Sequence, residues 1–211
     1  MRPGKHRLVA LLAAVALAAA VAPAAVADGD PASDYLITQP AFFPFDAHIC
    51  KATSDELVAQ LAASKKAGFE IRVAVIATRY DLGAVPVLYG KPGQYAHFLG
   101  QELFYWYKHE LLVVMPSGFG VYSHGPAPAA DRAAVAALPP PGTTAGNALV
   151  VAASRAVHAL AARRGIDLSL VTAGGCRSST GSDRIAIAIG AVVAFAFAGG
   201  LVFFRRRRSA R

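Results

Sequence analysis

Residues 28–171 predict a small α/β sandwich with a mixed sheet, and the chain ends in one transmembrane helix. Three observations carry this reading. Two runs, IRVAVIA at 71–77 and LLVVM at 111–115, are apolar almost throughout, as strands buried on both faces are. Segments with apolar residues at helical spacing lie before, between and after them. Pro116-Ser117-Gly118 closes the second run with a turn signal, so the next strand returns antiparallel. The predicted order is β-α-β-α-β-β-α, the alternation of an α/β fold.

Taken along the chain, 35–38 is a short apolar run read as a first strand, and PAFFPFDAHIC after it reads as an irregular packed loop. Thr53 and Glu56 have the spacing of a capping box, with Leu57, Val58, Leu61 and Ala62 on one helical face and Gly68 as the stop. The strand 71–77 follows. Pro92 suits a first helical turn, and Tyr95, Phe98, Leu99, Glu102 and Trp106 extend that helix to about His109. Residues 111–115 and 119–123 form the strand–turn–strand. The Pro/Ala/Gly-rich stretch 124–146 leaves room for a short helix at 131–138. Asn147 is placed to cap a last helix to Arg164, with Gly165 after it, and 168–171 reads as a final edge strand.

The charge is concentrated at the chain ends. Lys+Arg number 21 against 13 Asp+Glu, a net charge of +8. Arg2, Lys5 and Arg7 open the chain; Arg184, Arg205, Arg206, Arg207, Arg208 and Arg211 close it. The body between is nearly neutral, so the basic balance signals membrane insertion rather than nucleic-acid binding. Residues 1–27 have the form of a secretory signal: a basic start, an apolar stretch at 8–21, Pro23, and small residues before a cleavage point between Ala27 and Asp28. Residues 172–183, TAGGCRSSTGSD, read as a flexible stalk. Residues 184–205 read as the membrane helix. Their unbroken apolar run of 20 residues spans about 30 Å at the helical rise. Arg205–Arg208 flank it and, with 206–211 as a basic tail, stay cytoplasmic. The expected topology is single-pass type I in the cell membrane, with the domain outside the cytoplasm. Ala186, Gly190, Ala194 and Ala198 recur every four residues, a stripe that allows weak self-association.

The arrangement resembles the exported, membrane-tethered TPM domain proteins, and is most like their actinobacterial members. The likeness is carried by IRVAVIAT, GQYAHFLGQELFYWY and LLVVMPSGFGVYSHG, with FFPFDA and RYDLGAVP as further shared types of segment. It implies a βαβαββα domain and tasks ranging from assembly and repair of membrane complexes to receptor modulation. Some members have phosphatase activity. Some bind calcium, but their acidic-Gly turn is replaced here by Lys108-His109-Glu110.

The candidate site is Arg79, Tyr80 and Asp81, directly after the central strand, where open α/β sheets bind ligands. The competing reading is a strand end in which Asp81 bonds the backbone near Gly83. Ser117 lacks the spacing of a nucleophile elbow. His97, His109, His124 and His158 have no acid at a telling spacing, and Asp34 and Asp46 stand in no cluster of oxygen ligands. Neither a metal nor another cofactor is expected. Of Phe104-Tyr105-Trp106-Tyr107, one or two rings must face outward if the segment is helical, and core packing is the favoured role. Cys50 and Cys176, the only cysteines, are candidates for a disulfide in an exported domain. The functional expectation is a tethered interaction or assembly module acting on envelope or membrane proteins. The alternative is an extracytoplasmic, phosphatase-like hydrolase using the loop after the central strand.

Overall fold

The computed structural model describes residues 29–172. The segments read as signal, stalk, membrane helix and basic tail lie outside the described residues. Within them the chain is α/β, with a four-stranded mixed sheet and five α-helices.

Asp30 caps α1 (Pro31–Leu36), accepting the Ala32 N–H at 3.2 Å, and Pro31 supplies the preset first turn. The strand expected at 35–38 is therefore not formed. The first strand, β1 (Ala41–Phe42), lies instead in the aromatic segment read as a loop. Helix α2 (Lys51–Lys66) starts before the expected capping box: Cys50 is the N-cap, and Thr53 is buried inside the helix. Gly68, at φ +93°, does follow its end. Strand β2 (Ile71–Val75) runs into two 3₁₀ turns, Arg79–Leu82 and Pro86–Leu88. Helix α3 (Pro92–Glu102) is shorter than expected, because turns begin at Leu103. Then come β3 (Glu110–Met115), β4 (Gly118–Ser123), α4 (Ala129–Ala136) and α5 (Gly146–Ala162).

The strands lie in sequence order. β1 pairs with β2 and β2 with β3 in parallel, Val73 lying between Ala41 and Leu112; β4 closes the edge antiparallel, with Met115 opposite Gly118. Strands β2 and β3 are buried on both sides, which is why their sequences do not alternate. One face carries Val73, Val75, Leu112, Val114 and Val121 against α2 and α5. The other carries Ala74, Ile76, Leu111, Val113 and Met115 against α1 and α3. The crossovers β1-α2-β2 and β2-α3-β3 advance in the same direction with helices on opposite faces, so they have opposite hands. One of them is left-handed, against the strong preference for right-handed connections.

The sheet has two ends of different make-up. The upper end is where the parallel strands finish: 43–49, 76–91, 116–117 and 139–145, the last tied down by Gly142 N–H donating to the Pro116 carbonyl at 2.9 Å. The lower end is where they begin, with 103–109, 124–128 and 163–165. After α5 the chain climbs back without forming the edge strand expected at 168–171. Helices α2 and α5, not a strand, flank it, and their side chains hold it. Gln60 Nε2 donates to the Ser169 carbonyl at 3.0 Å. Ser154 Oγ accepts from Val171 N–H at 2.8 Å, and Glu56 Oε2 accepts from Thr172 N–H at 3.2 Å.

Candidate functional site

At the upper end, Thr78 and Asp81 form a reciprocal capping box on the turn Arg79–Leu82. Asp81 Oδ2 accepts from the Ala77 and Thr78 backbone N–H groups at 2.8 and 2.7 Å. Asp81 is buried, 4% exposed. The backbone contacts are upstream, not near Gly83. Tyr89 fixes the same corner, its hydroxyl donating to the Ala77 carbonyl at 2.8 Å. Arg79 and Tyr80 point outward, and Tyr80 is 79% exposed. The turn thus separates its functional groups: the acid holds the backbone, while the cation and the ring face solvent.

The other candidates are dispersed. Ser117 is exposed in the β3–β4 turn. His97 meets the Tyr122 ring edge-on, His124 stacks on Phe104, His109 lies 3.9 Å from Glu70, and His158 Nδ1 is 2.7 Å from the Leu168 carbonyl. Asp34 and Asp46 are exposed. Among the described residues, no group of three or more His, Cys, Asp or Glu is placed to hold a metal ion.

Asn147 has a role the sequence did not suggest. It lies inside α5, whose N-cap is Ala145. Its Oδ1 accepts the Cys50 N–H at 2.8 Å, and its Nδ2 donates to Cys50 Sγ at 3.0 Å. Gly146 makes this approach possible, because a Cβ there would sit 2.5 Å from Ile49 Cγ1. Cys50 is held in a disulfide. Cys176 lies outside the described residues.

At the lower end the chain leaves α3 through tight turns. Leu103 and Tyr107 are both buried, and the Leu103 carbonyl accepts from Trp106 and Tyr107 N–H groups at 2.9 and 2.8 Å. Tyr107 is fixed further by its hydroxyl donating to the Glu110 carbonyl at 2.9 Å and by the Arg72 guanidinium 4.1 Å from its ring centre. Burial pushes the Tyr107 phenol up from its ordinary pKa. With these two anchors four residues apart, the three rings between them are turned out. Tyr105 is 85% exposed and Trp106 69%, and Phe104, also exposed, stacks on His124 with ring centres 4.4 Å apart. The packing role favoured for this run holds for Tyr107 alone.

Two buried charge groups were not visible as motifs. Arg164 Nη2 bridges Glu110 Oε1 at 3.1 Å and Asp131 Oδ2 at 2.9 Å, while Arg163 Nε donates to Asp131 Oδ1 at 2.8 Å. Burial raises Glu110. Burial also acts to raise Asp131, but hydrogen bonds from Arg164 and Arg163 outweigh it and hold that carboxyl low. This network ties β3, α4 and α5 together below the sheet. Near the upper end, Asp30 accepts the Tyr95 hydroxyl at 2.7 Å, and its other oxygen is buried without a hydrogen-bond partner. Burial raises its pKa to about 6. Both groups bind fold elements to one another rather than opening onto a cleft. Compared with family models, curated proteins and solved structures, the chain matches none of them.

Proposed function

We propose that this chain is a membrane-anchored, extracytoplasmic interaction or assembly module acting on envelope or membrane proteins. The observation that supports it is the knuckle of Tyr105 and Trp106, presented on a turn that Leu103 and Tyr107 hold in the core. Large exposed rings on a rigid support are what protein interfaces use as anchors, since little side-chain freedom is lost on docking. The resemblance to TPM domain proteins favours the same reading and the βαβαββα description of the domain. In this reading 1–27 is removed on export, 184–205 spans the cell membrane, and the bilayer is a partner through that helix.

The hydrolase alternative is less well supported, because Asp81 already accepts two backbone N–H groups and is buried. The test uses the anchored protein in its own membrane, with a photo-crosslinking residue at the exposed Lys108 beside the knuckle. A specific crosslinked partner is expected, with affinity falling more than about tenfold in the Tyr105→Ala/Trp106→Ala double variant. Unchanged capture in that variant removes the support for the knuckle. Phosphate release by the purified chain that Arg79→Ala abolishes would replace this reading with the hydrolase.

A further inference from the structure

The upper end of the sheet carries exposed apolar side chains of its own, well away from the knuckle. We propose that the turns Arg79–Leu82 and Pro86–Leu88 rest on the headgroup layer of the bilayer that anchors the chain. Tyr80 and Val87 sit at the interface, and Arg79 and Lys91 face lipid phosphates. The proposal rests on the reading of 184–205 as a membrane helix.

The direction in which the chain leaves the domain supplies the occupant. The segment after α5 climbs antiparallel to α2: Ser169 lies against Gln60, and Thr172 lies one turn nearer the start of α2, against Glu56. Continued, this path leads to the upper end, where Cys50 begins the helix. The chain enters at the same end. Gly29 lies against Gly83, whose Cβ would fall 2.3 Å from the Gly29 carbonyl oxygen. Residues 173–183 separate Thr172 from the membrane run, and at full extension they reach at most about 40 Å. If Cys176 is joined to Cys50, only 177–183 remain, about 24 Å at most. A domain of this size is about 35–40 Å across. With that bridge the tether is shorter than the domain is wide, so the upper end stays nearer the bilayer and the knuckle farther from it.

The side chains fit that position. Tyr80 and Val87 are 79% and 71% exposed, and Tyr80 stands beside the buried Asp81 and Leu82 of its turn. Arg79 and Lys91 are exposed beside them. The acid of this turn, Asp81, is turned inward onto backbone N–H groups. Asp46, on the neighbouring loop, is an exposed opposing charge, while Asp55 is paired with Lys51 at 2.6 Å. An aromatic hydroxyl and an aliphatic side chain flanked by two cations suit an anionic headgroup layer.

Trp106 is the chain's only tryptophan, so the test has a built-in distal reporter. The anchored protein is placed in phosphatidylcholine/phosphatidylglycerol vesicles carrying acyl chains brominated near the headgroup. A Tyr80→Trp/Trp106→Phe variant reports on the turn, and the parent reports on the knuckle. Emission from position 80 should be quenched several-fold more than emission from Trp106. Arg79→Ala/Lys91→Ala in the variant background should reduce that quenching. Equal quenching at both positions, or stronger quenching of Trp106, overturns the proposal. Alkaline carbonate extraction of the same vesicles separates the two failures. A chain that is stripped off refutes the anchor and the proposal with it; a retained chain with position 80 unquenched refutes the proposal alone.

Discussion

Reducing the disulfide should cost the domain about 5 kcal/mol. Cys50 stands at the N-cap of α2, clamped through its N–H and its sulfur by Asn147. Thr172 is hydrogen-bonded to Glu56, six residues into the same helix. Six helical residues rise about 9 Å, and the four residues 173–176 can extend about 13 Å, so Cys176 reaches Cys50 without displacing the tail. A bridge between them closes a loop of about 125 residues, for which the chain-entropy relation gives about 5 kcal/mol at 25 °C. Set against a total of about 5–15 kcal/mol for a domain of this kind, the reduced protein stands near its folding threshold. Urea unfolding followed by circular dichroism, with and without reductant, measures the difference. Cys50→Ser should match the reduced protein, since a hydroxyl still accepts from Asn147. Two alkylatable thiols in the unreduced protein, or a shift below about 1 kcal/mol on reduction, refute the reasoning. A dimer on a non-reducing gel would instead identify an intermolecular Cys176 bridge.

Four further outcomes are expected. Asp30, raised to about 6 by burial, favours the fold only in its neutral form, so its contribution is present at acid pH and lost as pH rises through about 6. Asp30→Asn keeps the cap and the Tyr95 hydrogen bond; it should be more stable than the parent by up to about 3 kcal/mol at pH 7 and no more stable at pH 4, read by urea titration. Arg164→Met leaves Glu110 without its cation and Asp131 with Arg163 alone, a loss of about 3 kcal/mol that a thermal melt detects. Gly120→Val sets a side chain where a Cβ would already be 2.1 Å from the Pro92 carbonyl oxygen; α3 must move off β4, lowering stability by about 2–3 kcal/mol. Protease added to intact spheroplasts should remove the domain and spare the Arg205–Arg208 tail; a protected domain with a digested tail reverses the topology.

The middle of the fold was legible in the residues, and its borders were not. Strands β2 and β3 declare themselves because burial on both faces leaves nearly continuous aliphatic runs, and Pro92 and Gly68 mark helix ends through backbone chemistry alone. The first strand escaped notice because two residues carry no periodicity; Ala41 and Phe42 are a strand only through their pairing with Val73 and Ala74. Residues 168–171 look like a strand, but a strand needs an edge, and this segment runs between two helices. Asn147 has the chemistry of a cap, yet its partner lies 97 positions away. The same limit applies to Glu110, Asp131 and Arg164, whose meeting depends on how β3, α4 and α5 converge. Of the Arg79-Tyr80-Asp81 candidate, the location was readable; the inward turn of the carboxylate was not, because it depends on the N–H groups of Ala77 and Thr78 being unpaired by the sheet. The outward rings at 104–106 turned on where α3 stops, a boundary that an unbroken apolar spacing conceals.

The climbing segment beyond α5 also sets how the domain would bear a pull. If a partner at the knuckle and an anchor in the membrane draw apart, load enters at the lower end and leaves along the tail. There the contacts to Glu56, Ser154 and Gln60 lie along the line of traction, so they share the load in shear and give way together. A covalent link at Cys50 would move the loading point past those contacts to the start of α2, directly beside the clamp from α5. The rate of forced opening would then be governed by the barrier to separating two packed helices rather than by a few hydrogen bonds along the tail. On this view the redox state of one bond decides whether the tether behaves as a stiff strut or as a compliant leash.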